Sequence, residues 1–169
     1  MSHTPQGEAA SELPASVRIQ RLSLHRPLIP LIADWFKKEW PDWYGPGGAG
    51  DADADLRRYA QDDALIPLGL VALCDGQPCG FGALKQQGIG SDPTRGPWAG
   101  AGYVLPALRG RGLGALLLRA LVGEAQALGF ERVYCVTGTA QSLLQREGWQ
   151  VLEVTQQGEQ RLTVFGSPR

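Results

Sequence analysis

Arg109, Gly110, Arg111, Gly112 and Gly114 fall within one short stretch, R-G-R-G-L-G, between an apolar segment and a run of leucines. Glycines without a Cβ let consecutive backbone N–H groups converge on a cluster of oxygens. A helix opening at Leu113, Gly114 and Ala115 adds N–H groups with no acceptor and the positive end of its dipole. The two arginines bring charge of the right sign, and Pro106 closes the preceding strand. Together these residue types describe a pyrophosphate cradle. Three glycines also make an ordinary tight turn in a chain with 23 of them, but glycines alternating with arginines at a helix start favour an anion. The spacing is G-x-G-x-G, without the Gly-Lys-Ser/Thr ending of a nucleotide P-loop and unlike the dinucleotide G-x-G-x-x-G.

The elements that must hold this cradle read from periodicity and turn chemistry. A strand over 98–105 enters it, with Gly100 and Gly102 marking a bulge or a close backbone approach. The helix leaving it buries Leu113, Leu116, Leu117, Ala120, Leu121 and Leu128 on one face and stops at Gly129. Upstream, a strand over 17–22 precedes a helix that begins at Pro27 or Pro30, buries Leu28, Leu31, Ile32, Trp35 and Phe36, and ends at Pro41. A second helix is expected over 55–62. Strands over 66–73 and 78–85 flank the hairpin signal Asp75-Gly76, and 86–97 forms a long Gly/Pro loop. A strand over 133–137, a short helix, and strands over 149–155 and 160–165 around Gln157-Gly158 complete the chain.

Composition limits what such a chain does. At 169 residues and 43% hydrophobic content it buries one core, giving a disordered tail over 1–16 and one domain over 17–169. A net charge of -1 gives no electrostatic case for nucleic acid or an anionic membrane. No apolar stretch is long enough to span a bilayer, and no signal peptide is evident. Three cysteines without C-x-x-C point to reduced thiols and a cytoplasmic protein; Cys74 and Cys79 flank a turn and read best as small buried side chains. The two histidines, His3 and His25, have no partner cluster, so no metal site is expected.

The motif Val104-x-Pro106-x-x-Arg109-Gly110-x-Gly112-x-Gly114 resembles the acetyl-CoA signature, R/Q-x-x-G-x-G/A, of the GNAT superfamily of N-acetyltransferases. Gly148-Trp149 resembles that family's G-F/Y/W element, and the order of elements over 17–166 is similar to its small single-domain bacterial members. The resemblance implies a mixed α/β fold: a twisted, mostly antiparallel sheet with a splayed parallel pair and helices on both faces. It implies acetyl-CoA as cosubstrate, held by Arg109, Gly110, Arg111, Gly112, Leu113, Gly114 and Ala115 and by the strand backbone of Gly102, Tyr103 and Val104. It also implies a primary amine of a small molecule or a peptide or protein as acceptor, and a homodimer is common in such enzymes.

The chain departs from the family at both catalytic stations. Leu144 stands where many relatives carry a tyrosine acid, and the strand over 98–105 holds no glutamate. Tyr103, Glu39 and Asp42 are the remaining side-chain candidates, beside a water chain needing no side chain. Trp40, Trp43 and Tyr44, ahead of a Gly/Pro run, are candidates for acceptor contact. The missing residues keep a second reading open, an acyl-CoA-binding module without efficient transfer.

Overall fold

Seven strands form one sheet in the computed structural model, which describes residues 16–63, 65–88 and 92–169. They are β1 (Val17–Arg21), β2 (Leu68–Cys74), β3 (Gln77–Lys85), β4 (Trp98–Val104), β5 (Tyr134–Thr137), β6 (Gln150–Gln157) and β7 (Gln160–Gly166), in the order β1-β2-β3-β4-β5-β7-β6. Neighbours run antiparallel except β4 and β5. The expected tail over 1–16 lies, apart from Ser16, outside the described residues, as do His3 and part of the 86–97 loop.

Both faces of the central strands are covered, which is why β2 is apolar throughout rather than alternating and is buried along its whole length. On one face α1 (Ile29–Glu39) and α3 (Ala52–Tyr59) set Trp35, Phe36, Leu56 and Tyr59 against Val71 and Phe81. On the other lies α4 (Leu113–Ala127), whose buried residues Leu113, Leu117, Leu121 and Ala125 recur at four-residue spacing. They meet Leu68, Leu70, Ala72, Leu84 and Ala99. Full burial of a leucine or phenylalanine of this kind contributes about 1.5–3 kcal/mol.

The helices end where their chemistry dictates. Gly129, at φ 94°, follows α4, with Gly129 N–H donating to Gln126 O and Phe130 N–H to Ala125 O. The same pair of bonds closes α5 (Gln141–Arg146) through Gly148 N–H to Gln145 O and Trp149 N–H to Leu144 O. Both are Schellman locks, in which the left-handed glycine turns the chain back on the last carbonyls.

Three expectations are corrected. The helix expected over 55–62 begins at Ala52, because the Asp51 carboxylate accepts the Ala54 N–H at 3.0 Å. Asp53 and Asp55 in its first turn and Arg57 and Arg58 in its last suit the dipole of that placement. Pro41 ends α1 but also opens a short second helix, α2 (Pro41–Tyr44), since proline is well tolerated at a first helical position. Cys74 and Cys79 are joined as a disulfide instead of standing as separate thiols. The hairpin places both on the face under α4, with their Cα atoms 6.0 Å apart among Ala72, Leu113 and Leu117.

Cys135 is the free cysteine among the described residues, and burial pushes its thiol up to about 11. Without reductant, alkylation of the denatured protein followed by peptide mapping is expected to label Cys135 alone. Alkylation of the native protein near pH 8 is expected to label no cysteine at a comparable rate, because the thiolate is the reactive form. Labelling of Cys74 or Cys79 without reductant would contradict the pairing.

Candidate active site

One irregularity in β4 shapes the site. Phe81 pairs with Tyr103 and Ala83 with Gly100, so Ala101 and Gly102 together oppose the single residue Gly82. This is a β-bulge, and Ala101 carries its strain with φ 52°, a left-handed value that costs a residue with a Cβ. Bulges bend the strand that holds them. Pairing of β4 with β5 is limited to Trp98 and Tyr134, where Tyr134 N–H donates to Pro97 O at 2.9 Å. Beyond that point Gly102, Tyr103 and Val104 have no β5 partner, and the gap opens a cavity of about 660 Å³.

The R-G-R-G-L-G turn closes one end of this cavity. Gly110 and Gly112 have φ of 78° and 88°, and Gly112 is the N-cap of α4 without a side chain to cap it. The first bond inside the helix runs from Leu116 N–H to Gly112 O at 3.2 Å. The N–H groups of the opening turn, at Leu113, Gly114 and Ala115, therefore have no acceptor in the helix. A Cβ on Gly110 or Gly112 would meet nothing within 4 Å, so both face open space, whereas one on Gly114 would come within 3.2 Å of Leu143 Cδ2. Gly114 thus also lets α5 approach α4.

Of the residues expected to bind a cofactor, Gly102, Tyr103, Val104, Arg109, Gly110, Gly112, Leu113, Gly114 and Ala115 line the cavity, and Arg111 does not. Glu39 lines it from the end of α1. Trp40, Trp43 and Tyr44 stand outside its wall. Trp40 and Tyr44 pack on Phe36 with ring centroids 5.1 and 5.5 Å away, and the Tyr44 hydroxyl donates to Asp55 at 2.7 Å. Leu144 is buried against the wall beside Trp149 and Phe165. Sequence reasoning did not assign Phe81, Thr139, Ala140, Leu143, Arg146 or Glu147 to the wall; Phe81 is placed there by the pairing of β3 with β4 and the others by how α5 docks, neither of which a local motif encodes.

Arg109 has a definite set of partners. Its Nε donates to Val104 O at 2.9 Å, its guanidinium stands 5.5 Å from the centre of the Tyr103 ring, and its Nη2 lies 3.4 Å from Glu39 Oε2. Tyr103 in turn stacks on buried Trp35 at 5.0 Å between centroids. Lys85 is a cation beside β4 that the sequence reading did not assign. Its side chain crosses Gly100, with Cδ 3.0 Å and Nζ 3.7 Å from where a Cβ would sit, and it makes no hydrogen bond or ion pair among the described residues. Burial pushes its pKa down, and Asp55 partly offsets this.

Fold and cavity together define an acyl-transfer scaffold: a sheet opened between two parallel strands, with an uncapped helix N-terminus at its end. The chain belongs to the Acetyltransferase (GNAT) family, whose profile matches residues 30–147. An aminoglycoside 6'-N-acetyltransferase complexed with coenzyme A superposes with a TM-score of 0.72 at 13% identity, over 90% of this chain and 98% of that one. An acetyltransferase of the GNAT family from Streptococcus pneumoniae gives 0.65 at 18% identity, over 90% and 98%. A Salmonella typhimurium protein described as an acetyltransferase, solved with its cofactor acetyl-CoA, gives 0.68 at 20% identity, over 90% and 93%. No curated protein matches the sequence.

Two glycines of the site separate conformational strain from space. Gly112→Ala is expected to lose about 1–2 kcal/mol in a denaturant melt, because a side chain at φ 88° is strained even in open space. Gly102→Ala, with neither a left-handed φ nor a neighbour within 4 Å, is expected to stay within about 0.5 kcal/mol of the parent.

Burial, with a smaller contribution from Asp55, pushes the Tyr59 phenol up to about 12; burial and the bond to Asp55 raise Tyr44 as well. A raised folded-state value means that the neutral phenol is favoured by folding. This contribution to stability is fully present below the unfolded tyrosine pKa of about 10. It is lost as pH rises from there through about 12. Absorbance at alkaline pH should show two of the four tyrosines ionising only with the loss of ellipticity.

Proposed function

We propose that the protein transfers the acetyl group of acetyl-CoA to a primary amine by direct attack. The observation that carries this reading is that the uncapped start of α4 and the unpaired run of β4 open into one cavity. In the proposal the N–H groups of Gly112, Leu113, Gly114 and Ala115 receive the pyrophosphate, with Arg109 and Arg111 supplying countercharge. The backbone of Gly102, Tyr103 and Val104 pairs with the extended pantetheine arm as a strand would. A β4 N–H then polarises the thioester carbonyl.

Acetyl-CoA supplies an acetyl group activated as a thioester. Attack by a neutral amine forms the C–N bond, breaks the C–S bond and releases a proton from nitrogen. An alkylamine has a pKa of about 10.4, so its proton must be removed first, while a thiol of about 8.5 leaves without needing a strong acid. Buried, apolar Leu144 supplies no proton to it. Glu39 in the wall is a carboxylate placed to relay the amine proton, whereas Glu147, also in the wall, is held by Arg119, and Tyr103 is held by Trp35 and Arg109. The absence of any acid on β4 supports the second reading, binding of an acyl-CoA without efficient transfer.

Calorimetric titration with acetyl-CoA should show binding to wild type and its loss in Gly112→Trp, which fills the cradle. A free-thiol assay with polyamines, aminoglycosides, amino acids and peptides should then show turnover with one amine class. Binding without turnover favours the second reading, and no binding to wild type overturns both.

A further inference from the structure

We infer that the acceptor site selects a cation, and that the Arg109 guanidinium holds that cation's place in the free protein. This deepens, and in part rests on, the acetyltransferase reading above. Three groups that attract cations for different reasons converge on one spot of the cavity wall: the Glu39 carboxylate by charge, the Tyr103 ring by its quadrupole and the Val104 carbonyl by its lone pairs. Arg109 engages all three at once, at 3.4 Å, 5.5 Å and 2.9 Å. Its side chain therefore reaches toward α1 while its backbone belongs to the anion-facing turn.

The occupant is exchangeable and the site is not. Glu39 and Arg109 are 40% and 46% exposed and meet through one contact of 3.4 Å. Arg119 and Glu147, by contrast, share two bonds of 2.6 and 3.0 Å. Exposed single-contact pairs of the first kind are held weakly. The ring beneath is fixed from elsewhere, since Tyr103 stacks on Trp35 within 20° of parallel. Phosphate oxygens in the turn offer Arg109 stronger, bidentate acceptors than Glu39 does. Once Arg109 turns to them, the Glu39 carboxylate and the Tyr103 ring are left facing the cavity as a vacant cation subsite. A protonated primary amine fits it by charge and size, and a neutral amide or alcohol leaves Glu39 unpaired. Cosubstrate and acceptor then bind with positive coupling, and the coupling acts equally in both directions.

The test titrates spermidine calorimetrically into wild type and variants, with and without CoA. Wild type should bind spermidine about tenfold tighter with CoA present than without it. Arg109→Gln should bind it about tenfold tighter than wild type in the absence of CoA, and adding CoA should give no further gain. Arg109→Gln combined with Glu39→Gln should lose that gain. The inference is overturned if Arg109→Gln binds spermidine no better than wild type, or if the double variant binds as well as the single one. Both positions are exposed, and unchanged circular dichroism spectra are the check that the variants fold. Failure of CoA to bind wild type would sink the acetyltransferase reading alone, because the arms without CoA still report on the cation subsite.

Discussion

A strand that declines to pair is the constraint on which the rest of this molecule depends. The extra residue in β4 at Ala101 and Gly102 bends the chain after its single pairing with β5. A continuous sheet would satisfy every backbone group there and leave no cavity. The cost is carried locally by Ala101 at φ 52°, and the strong packing on either side of the sheet tolerates it. Stored strain of this kind persists only when its surroundings over-determine it. Here Phe81 and Ala83 pin β4 on one edge, while α4 and α1 clamp its two faces.

Charge is organised around the same opening. The first turn of α4 presents N–H groups without acceptors at one end of the cavity, and Glu39 presents a carboxylate from the end of α1. The proposed pairing of an anionic cosubstrate with a cationic acceptor would need both signs within a short distance. Arg109 sits at the boundary, with its backbone in the turn and its side chain on Glu39. This placement explains how a chain with nearly balanced charge concentrates opposite potentials in one cleft.

The parts of this arrangement that were legible in the sequence are those fixed by local chemistry. The R-G-R-G-L-G turn, the four-residue rhythm of α4, the Gly129 stop and the Asp75-Gly76 hairpin each depend on neighbours along the chain. The glycines of β4 also signalled a bulge, although the left-handed residue proved to be Ala101 between them. Features set by contacts across the fold were less visible. The start of α3 moved to Ala52 because a cap at Asp51 outweighed apolar spacing, and Trp40 and Tyr44 were drawn into packing on Phe36. Lys85 over Gly100 was invisible, since only strand pairing brings the two together. The joined cysteines were set aside because composition speaks to redox environment and not to which side chains share a face.

The matching locks at Gly129 and Gly148 carry a consequence for how this scaffold tolerates change. Both helices walling the cavity, α4 and α5, stop at a left-handed glycine whose following aromatic, Phe130 or Trp149, is bonded back onto the helix. Helix length is thereby indexed to a single position, much as a screw is indexed by its final thread. One residue inserted within α4 would not be absorbed as slack at its end. Placed ahead of Leu116, it would rotate everything beyond it by about 100° and carry Leu116, Ala120 and Glu124 into the core positions of Leu117, Leu121 and Ala125. Substitution can diversify such a wall readily, but length change there is mechanically forbidden, and growth of the chain must fall to the loops.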